Sequence, residues 1–150
     1  MEKERHKMTP ASYLFLVRDN KILLLRRFNT GYADGKYSMV AGHVDAGEGF
    51  INAMIREAEE EAGIKIKQED LKVVHVMNKK YLDSERVHIF FATDKWDGEV
   101  VNREPSKCDD LSWFDINNLP ENIIPDVNQA IEYIKNKIFY SEQGYPKIGD

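Results

Sequence analysis

The stretch from Gly42 to Ile64 reads GHVDAGEGFINAMIREAEEEAGI, and it is the most informative segment of the chain. A turn-forming segment, Asp45 to Glu48, leads into a run whose apolar residues recur at helical spacing. Gly63 stands where a helix commonly ends in the left-handed conformation. The pattern predicts one amphipathic helix, and its core-facing positions are Ile51, Met54, Ile55, Ala58 and Ala62.

Three acidic residues of this helix, Glu57, Glu60 and Glu61, are spaced i, i+3 and i+4. At that spacing their side chains emerge on one face, where like charges repel. A divalent cation with oxygen ligands would offset the repulsion, and the scarcity of Cys and His favours a hard ion such as Mg²⁺ or Mn²⁺. For the glutamate run by itself, a solvated helix surface is the favoured interpretation.

The residues around the glutamate run favour a metal site over a solvated surface. Gly42, five residues, Glu48, seven residues and then Arg56-Glu57-Ala58-Glu59-Glu60-Glu61-Ala62-Gly63-Ile64 resembles the Nudix box, Gly-x5-Glu-x7-Arg-Glu-U-x-Glu-Glu-x-Gly-U, where U is apolar. Every fixed position matches, and the resemblance extends from about residue 9 to residue 137. One departure is Ala41, which stands where many members have glycine and cannot adopt glycine-only backbone angles cheaply.

The resemblance implies a loop–helix–loop that holds a metal ion, Mg²⁺ with Mn²⁺ as a substitute. The three glutamates of the acidic face become its ligands, together with the backbone carbonyl of Gly42. Glu48 and Arg56 match an ion pair that ties the loop to the helix, and Gly63 ends the helix. Mg²⁺ characteristically bridges carboxylates to substrate phosphates, which agrees with these roles.

The resemblance also implies a general base, which family members take from the box or from a later loop. Glu57, Glu60 and Glu104 are the predicted catalytic residues. Glu104 resembles the glutamate outside the box that some members use as a base or further ligand. Its competitor in the same loop is Glu99, and an ordinary solvated glutamate is the alternative for both.

The predicted substrate-binding residues are Arg26, Arg27 and His43. The two arginines end a strand and precede a glycine-containing loop, where either could meet phosphate groups. His43 occupies a free position of the box beside the metal-binding glycine. A surface arginine and a half-exposed loop histidine are the simpler interpretations.

The predicted function is Mg²⁺-dependent hydrolysis of a phosphoanhydride in a nucleoside diphosphate-linked substrate. A (deoxy)nucleoside triphosphate, cut to the monophosphate and pyrophosphate, is the first candidate. An ADP-ribose or nucleotide-sugar pyrophosphatase is the second, and a non-catalytic nucleotide-binding Nudix domain is the third. A plain interaction domain, in which the acidic helix only faces solvent, is the fourth.

Along the rest of the chain, strands outnumber helices and do not alternate strictly with them. We therefore expect an α+β fold, a Nudix-type α/β/α sandwich with a mixed β-sheet. The expected elements are a hairpin (12–17 and 22–25), a strand interrupted at Gly42 (37–44), further strands (71–77, 87–93 and 111–114) and a second helix (125–137). The 150 residues predict one domain, with residues 1–9 and an irregular tail, 140–150, at its periphery.

Composition excludes several classes of protein. The net charge is -5 and no Lys/Arg stripe occurs, so we expect a nucleotide substrate rather than a nucleic-acid polymer. The lone Cys108 rules out an intramolecular disulfide. No apolar run is long enough for a signal peptide or a membrane span, so a cytoplasmic monomer or homodimer is expected.

Overall fold

The computed structural model describes residues 2–149, which form two β-sheets and two α-helices. The strands are β1 (Thr9–Phe15), β2 (Val17–Arg18), β3 (Lys21–Arg27), β4 (Tyr37–Ser38), β5 (Val40–His43), β6 (Lys72–Lys80), β7 (Glu85–Ala92), β8 (Cys108–Asp115) and β9 (Tyr140–Gln143). The helices are α1 (Phe50–Ala62) and α2 (Pro125–Lys135), and a 3₁₀ turn spans Gln68–Asp70.

The larger sheet is mixed and has the strand order β5-β1-β7-β6-β9. Strand β1 runs antiparallel to β5 and parallel to β7, and β6 runs antiparallel to β7 and parallel to β9. The second sheet is antiparallel, and its strand β3 pairs with β2, β4 and β8. The expectation of a mixed sheet is therefore confirmed, and a second sheet accompanies it.

Two hydrophobic clusters lie on opposite faces of the sheets, because successive side chains of a strand point to opposite sides. Leu23 and Leu25 of β3 join the cluster beneath α1, while Ile22 and Leu24 join the cluster beneath α2. In β7, Phe91 joins the cluster beneath α1 and Phe90 joins the cluster beneath α2. Each helix covers one face, which gives the expected α/β/α layering.

Helix α1 begins and ends where the sequence predicts. Gly63 has φ 70°, the left-handed conformation that favours glycine, and its N–H donates to the carbonyl of Glu59 at 3.0 Å. Of the predicted core positions, Met54, Ala58 and Ala62 are fully buried. Ile51 and Ile55 are partly buried against the same cluster. The acidic face is left free to line a cleft.

Strand pairing departs from prediction in two places. The expected hairpin is smaller, because β3 pairs with the two-residue β2, and β1 belongs to the other sheet. Its turn residues Asp19 and Asn20 have φ 52° and 61°, as a two-residue hairpin turn requires. The expected strand 37–44 is split at Met39 into β4 and β5, which lie in different sheets.

The expected irregular tail is wrong for Tyr140–Gln143, which forms β9 at the edge of the larger sheet. His75 ties this segment down. Its Nδ1 lies 2.7 Å from the carbonyl oxygen of Ile138, and its Nε2 lies 2.8 Å from Oγ of Ser141. The peripheral segments of the prediction include Met1 and Asp150, which lie outside the described residues. Within residues 2–149, no helix is long and apolar enough to cross a membrane.

Candidate active site

Four carboxylates line one cavity of about 500 Å³, which we call the acidic cavity. Glu57, Glu60 and Glu61 reach it from α1, as their spacing predicts. Glu104 reaches it from the loop that precedes β8. The rest of its lining comes from Leu25, Arg27, Asn29, Thr30, Ala41, Gly42, His43, Lys107 and Cys108.

The loop before β8 carries Glu104 to the cavity by docking on the C-terminal end of α1. The N–H of Val101 donates to the carbonyl of Ala62 at 3.0 Å, and the N–H of Arg103 donates to the carbonyl of Glu61 at 3.2 Å. These bonds satisfy helix carbonyls that have no partner within the helix. A Cβ at Gly63 would lie 2.9 Å from Cγ1 of Val101, so the glycine both ends the helix and seats the loop. Glu99, the other candidate in this loop, is exposed and does not line the acidic cavity.

Arg56 and Glu48 form the ion pair that the resemblance implies. The guanidinium donates from Nε and Nη2 to the two carboxylate oxygens of Glu48, both at 2.9 Å. Nη2 also donates to the carbonyl of His43 at 3.1 Å, which joins strand β5 to the helix. Arg56 and the N–H of Asp45 lower the pKa of Glu48 to about 2. The loop is therefore held to the helix by a charged pair.

Electrostatics at the acidic face are unfavourable without a cation. Burial raises the pKa of Glu61 well above its ordinary value, and the nearby carboxylates of Glu57 and Glu104 raise it further, although the N–H of Ala41 opposes the shift. Burial also raises the pKa of Glu57, against the opposing effect of Arg56. Desolvated carboxylates that repel one another gain most from a bound positive charge.

Gly42 provides a close approach between strand and helix. A Cβ at this position would lie 2.1 Å from Cδ of Glu57, so no residue with a side chain fits here without moving that carboxylate. Its neighbour Ala41 lies in the extended strand β5 and donates its N–H to Oε2 of Glu61 at 3.1 Å. The alanine therefore needs no glycine-only backbone angles at this point.

The donor chemistry of the acidic cavity fits a hard divalent cation, since all the acidic side chains present oxygen. Within residues 2–149, no three His, Cys, Asp or Glu side chains are grouped as a ready-made metal site. Arg56 contacts two of the carboxylates, since its Nη1 donates to Oε1 of Glu57 at 2.7 Å and to Oε2 of Glu60 at 3.3 Å. One oxygen of each of these carboxylates is therefore paired with a guanidinium.

A second cavity of about 250 Å³ adjoins the first, and we call it the aromatic cavity. The two share Arg27, Ala41, Gly42 and His43. Most of its other polar and aromatic lining was not predicted from the sequence. That lining comes from Tyr13, Tyr32, Ser38, Tyr81, Arg86, His88, Phe90 and Asp126. The missed signal is alternation along β7, where Arg86, His88 and Phe90 face the same side.

His88 is the most enclosed polar residue of the aromatic cavity. Its side chain is 2% exposed, and its Nε2 has no hydrogen-bond partner among the described residues. Burial, the largest cause, lowers the pKa of His88 to about 4, and Arg86 contributes. The ring is therefore neutral at pH 7, and it lies against the Tyr13 ring, with centroids 4.6 Å apart and planes inclined by 40°.

The structure separates the predicted substrate-binding arginines. Arg27 lines both cavities, as does His43. Arg26 lines neither, and its Nε donates to Oδ1 of Asp109 at 2.7 Å. Consecutive strand residues point to opposite faces, so only one of the two can meet a ligand here. The prediction of a substrate-binding Arg26 is thus not supported by its position.

Comparisons with known proteins identify the family of this chain. The family model described as the NUDIX domain matches residues 7–136. The chain belongs to the NUDIX family. An ADP-ribose pyrophosphatase of Methanocaldococcus jannaschii is 31% identical over 123 residues, which cover 81% of this chain and 71% of that protein. A NAD-capped RNA hydrolase NudC of Stutzerimonas stutzeri is 28% identical over 114 residues, 76% of this chain.

This NUDIX chain spans 39% of the length of that NudC relative. Among solved structures, a MutT NUDIX hydrolase from Burkholderia pseudomallei superposes with a TM-score of 0.78 at 26% identity. The alignment covers 85% of this chain and 98% of that chain. The expected family and fold are therefore confirmed.

Proposed function

We propose that the chain is a divalent-metal-dependent pyrophosphohydrolase that cuts a phosphoanhydride in a nucleoside diphosphate-linked substrate. The observation that carries the proposal is the junction of two unlike cavities. Four carboxylates line one, aromatic rings line the other, and Arg27 lies where they meet. A nucleotide has the same division, with a planar base at one end and a charged phosphate chain at the other.

In this proposal, Glu57, Glu60 and Glu61 hold Mg²⁺, or Mn²⁺ in its place, with the carbonyl of Gly42. When bound, the ion supplies positive charge to the phosphates and polarises a phosphoryl oxygen. Glu48 and Arg56 keep the loop and the helix in register. Gly63 seats the loop that carries the proposed base.

Glu104 is the proposed general base, with Glu57 and Glu60 as the box carboxylates that act with it. It accepts the proton of the attacking water from its place at the rim of the acidic cavity. Arg27 and His43 bind the phosphate chain, because both reach the two cavities. The aromatic cavity encloses the nucleoside and so places the anhydride beside the carboxylates.

The first candidate substrate remains a (deoxy)nucleoside triphosphate, which gives the monophosphate and pyrophosphate. In this proposal the aromatic cavity, of about 250 Å³, takes the nucleoside, and the triphosphate extends past Arg27 into the acidic cavity. The second candidate is ADP-ribose or a nucleotide sugar, which the name of the 31% identical relative supports. NAD-capped RNA is a third, because the NudC relative is named for it.

The test is a substrate panel with Mg²⁺ in which each product is identified by chromatography. Wild type is compared with Glu60→Gln and with Glu59→Gln, a matched control whose side chain is exposed and lies outside the acidic cavity. We expect turnover that needs the divalent ion and falls at least 100-fold, on the order of a catalytic carboxylate's contribution, only in Glu60→Gln. Full activity in chelator, or equal activity in the two variants, would rule out the metal role. Nucleotide binding without turnover would favour a non-catalytic domain.

A further inference from the structure

Arg27 is held in place by the loop that joins β3 to β4, residues 28–36. Its Nε donates to the carbonyl of Tyr32 at 2.6 Å, and its Nη2 donates to Oγ1 of Thr30 at 3.0 Å. The Tyr32 ring lies 5.4 Å from the guanidinium carbon and also lines the aromatic cavity. This short loop therefore lines the aromatic cavity and also supports Arg27, the proposed phosphate-binding arginine.

Asp34 organises this loop from within. Its carboxylate accepts the N–H of Thr30 at 3.0 Å, the N–H of Gly31 at 2.9 Å and the hydroxyl of Thr30 at 2.5 Å. The Thr30 hydroxyl, the largest cause, lowers the pKa of Asp34 together with these N–H groups. The carboxylate itself lines neither the acidic nor the aromatic cavity.

The loop needs such an organiser because its backbone is strained. Four alternate residues, Asn29, Gly31, Ala33 and Gly35, have φ between 51° and 85°. Alanine rarely adopts this left-handed conformation, which persists only where surrounding contacts hold it. Ala33 lies directly between Tyr32 and Asp34, so the bonds of Asp34 stabilise the turn that presents Tyr32 to Arg27.

We propose that Asp34 is a positioning residue that orders the 28–36 loop and so aims Arg27 at the junction of the two cavities. The inference rests on the proposed function only for the identity of the ligand. Asp34 acts through Thr30 and Tyr32 and makes no contact with substrate. It thereby couples recognition of the nucleoside, through Tyr32, to recognition of its phosphate, through Arg27.

Whether Asp34→Ala strengthens or weakens the binding of an anion distinguishes a positioning role from a purely electrostatic one. Asp34 is negative and lies close to a phosphate-binding arginine. If only charge mattered, Asp34→Ala would strengthen binding of an anion, because a repulsive charge is removed. If Asp34 positions Arg27, the same substitution weakens binding, because the loop relaxes and the guanidinium is no longer aimed. Asp34→Asn keeps an acceptor oxygen without the charge, so positioning predicts partial rescue.

The experiment measures binding of AMP by calorimetry without metal, and then KM and kcat on the best substrate with Mg²⁺. We expect Asp34→Ala to raise both the Kd for AMP and KM about tenfold, with kcat within about twofold. Asp34→Asn should lie between it and wild type. Asp94→Ala, an exposed aspartate outside both cavities, is the control and should match wild type.

A double-mutant cycle completes the test. In an Arg27→Ala background, Asp34→Ala should weaken AMP binding by a smaller factor than it does in wild type, because the part of its influence that passes through the arginine is gone and only the part through Tyr32 remains. Tighter AMP binding in Asp34→Ala, additive effects in the cycle, or no AMP binding to wild type would each overturn the inference. Binding that behaves as expected in a protein that hydrolyses nothing would sink the hydrolase proposal and leave the role of Asp34 standing.

Discussion

Arg56 donates one hydrogen bond to each carboxylate oxygen of Glu48, and both N···O distances are 2.9 Å. Such a two-point pair fixes direction as well as distance. It joins the segment after β5 to α1, immediately before the three carboxylates that the helix contributes to the acidic cavity. The geometry of the site therefore depends on a pair whose two members do not line that cavity.

Replacement of Glu48 by Gln should make the free energy of unfolding less dependent on pH in the acidic range. Pairing lowers the pKa of Glu48 from 4.5 to about 2, so the pair contributes its full stability above pH 4.5. That contribution is lost as the pH falls through about 2. Urea unfolding should be measured from pH 7 to pH 2. The free energy of unfolding of wild type should exceed that of Glu48→Gln by the same amount down to pH 4.5, and the difference should shrink below that pH. A difference that is unchanged at pH 2 would contradict the assignment.

Replacement of Gly42 by Ala should damage the site without unfolding the protein. The new Cβ would lie 2.1 Å from Cδ of Glu57, and the carboxylate must move to admit it. We expect kcat/KM to fall about 100-fold, since a misplacement of about 1 Å in an active site can cost this much. Gly49→Ala is the control, because a Cβ there meets no atom within 4 Å and its φ is -87°. Equal activity in the two variants would show that Glu57 need not lie against Gly42.

Glu104 and Glu99 provide a matched pair within one loop. Glu104 lines the acidic cavity with the three helix carboxylates, and Glu99 is exposed outside it. Glu104→Gln should lower kcat about 100-fold with little change in KM, since a general base acts in the transition state. Glu99→Gln should retain wild-type kinetics. The proposed base would have to be sought elsewhere if kcat survived in Glu104→Gln.

Arg27 and Arg26 form a second matched pair, adjacent in sequence and opposite in direction. Arg27→Ala should raise KM about tenfold or more, because a guanidinium that reaches both cavities is lost. Arg26→Ala removes an ion pair with Asp109 at 2.7 Å, whose partners are both more than a third exposed, and a contact of the guanidinium with the Tyr37 ring at 5.7 Å. Such pairs contribute little, so activity and thermal midpoint should stay near wild type. Steady-state kinetics on both variants decides between them.

Much of the site follows from local spacing. The i, i+3 and i+4 positions of Glu57, Glu60 and Glu61 already place their side chains on one helix face, whatever the rest of the chain does. The wider Gly42–Ile64 pattern was sufficient to predict the family. The position of Glu104 does not follow from local spacing, because only the docking of its loop on Ala62 and Glu61 brings it to the cavity.

Other features depend on contacts between distant segments. The aromatic cavity exists because β1 and β7 pair in parallel, which sets Ala11 beside His88 and Tyr13 beside Phe90. Strand β9 could not be predicted from Tyr140–Gln143, since its four residues show no apolar alternation and its pairing partner lies in β6.

Helical periodicity is a property of neighbouring residues, so the order of amino acids is sufficient to predict the helix, its acidic face and the glycine that ends it. It also gave Arg26, Arg27 and His43 as candidates for substrate binding. Only the tertiary structure chose Arg27, joined it to Tyr32 and opened the aromatic cavity beside the carboxylates. These decisions depend on strand register, where a shift of one residue reverses the face that every side chain presents.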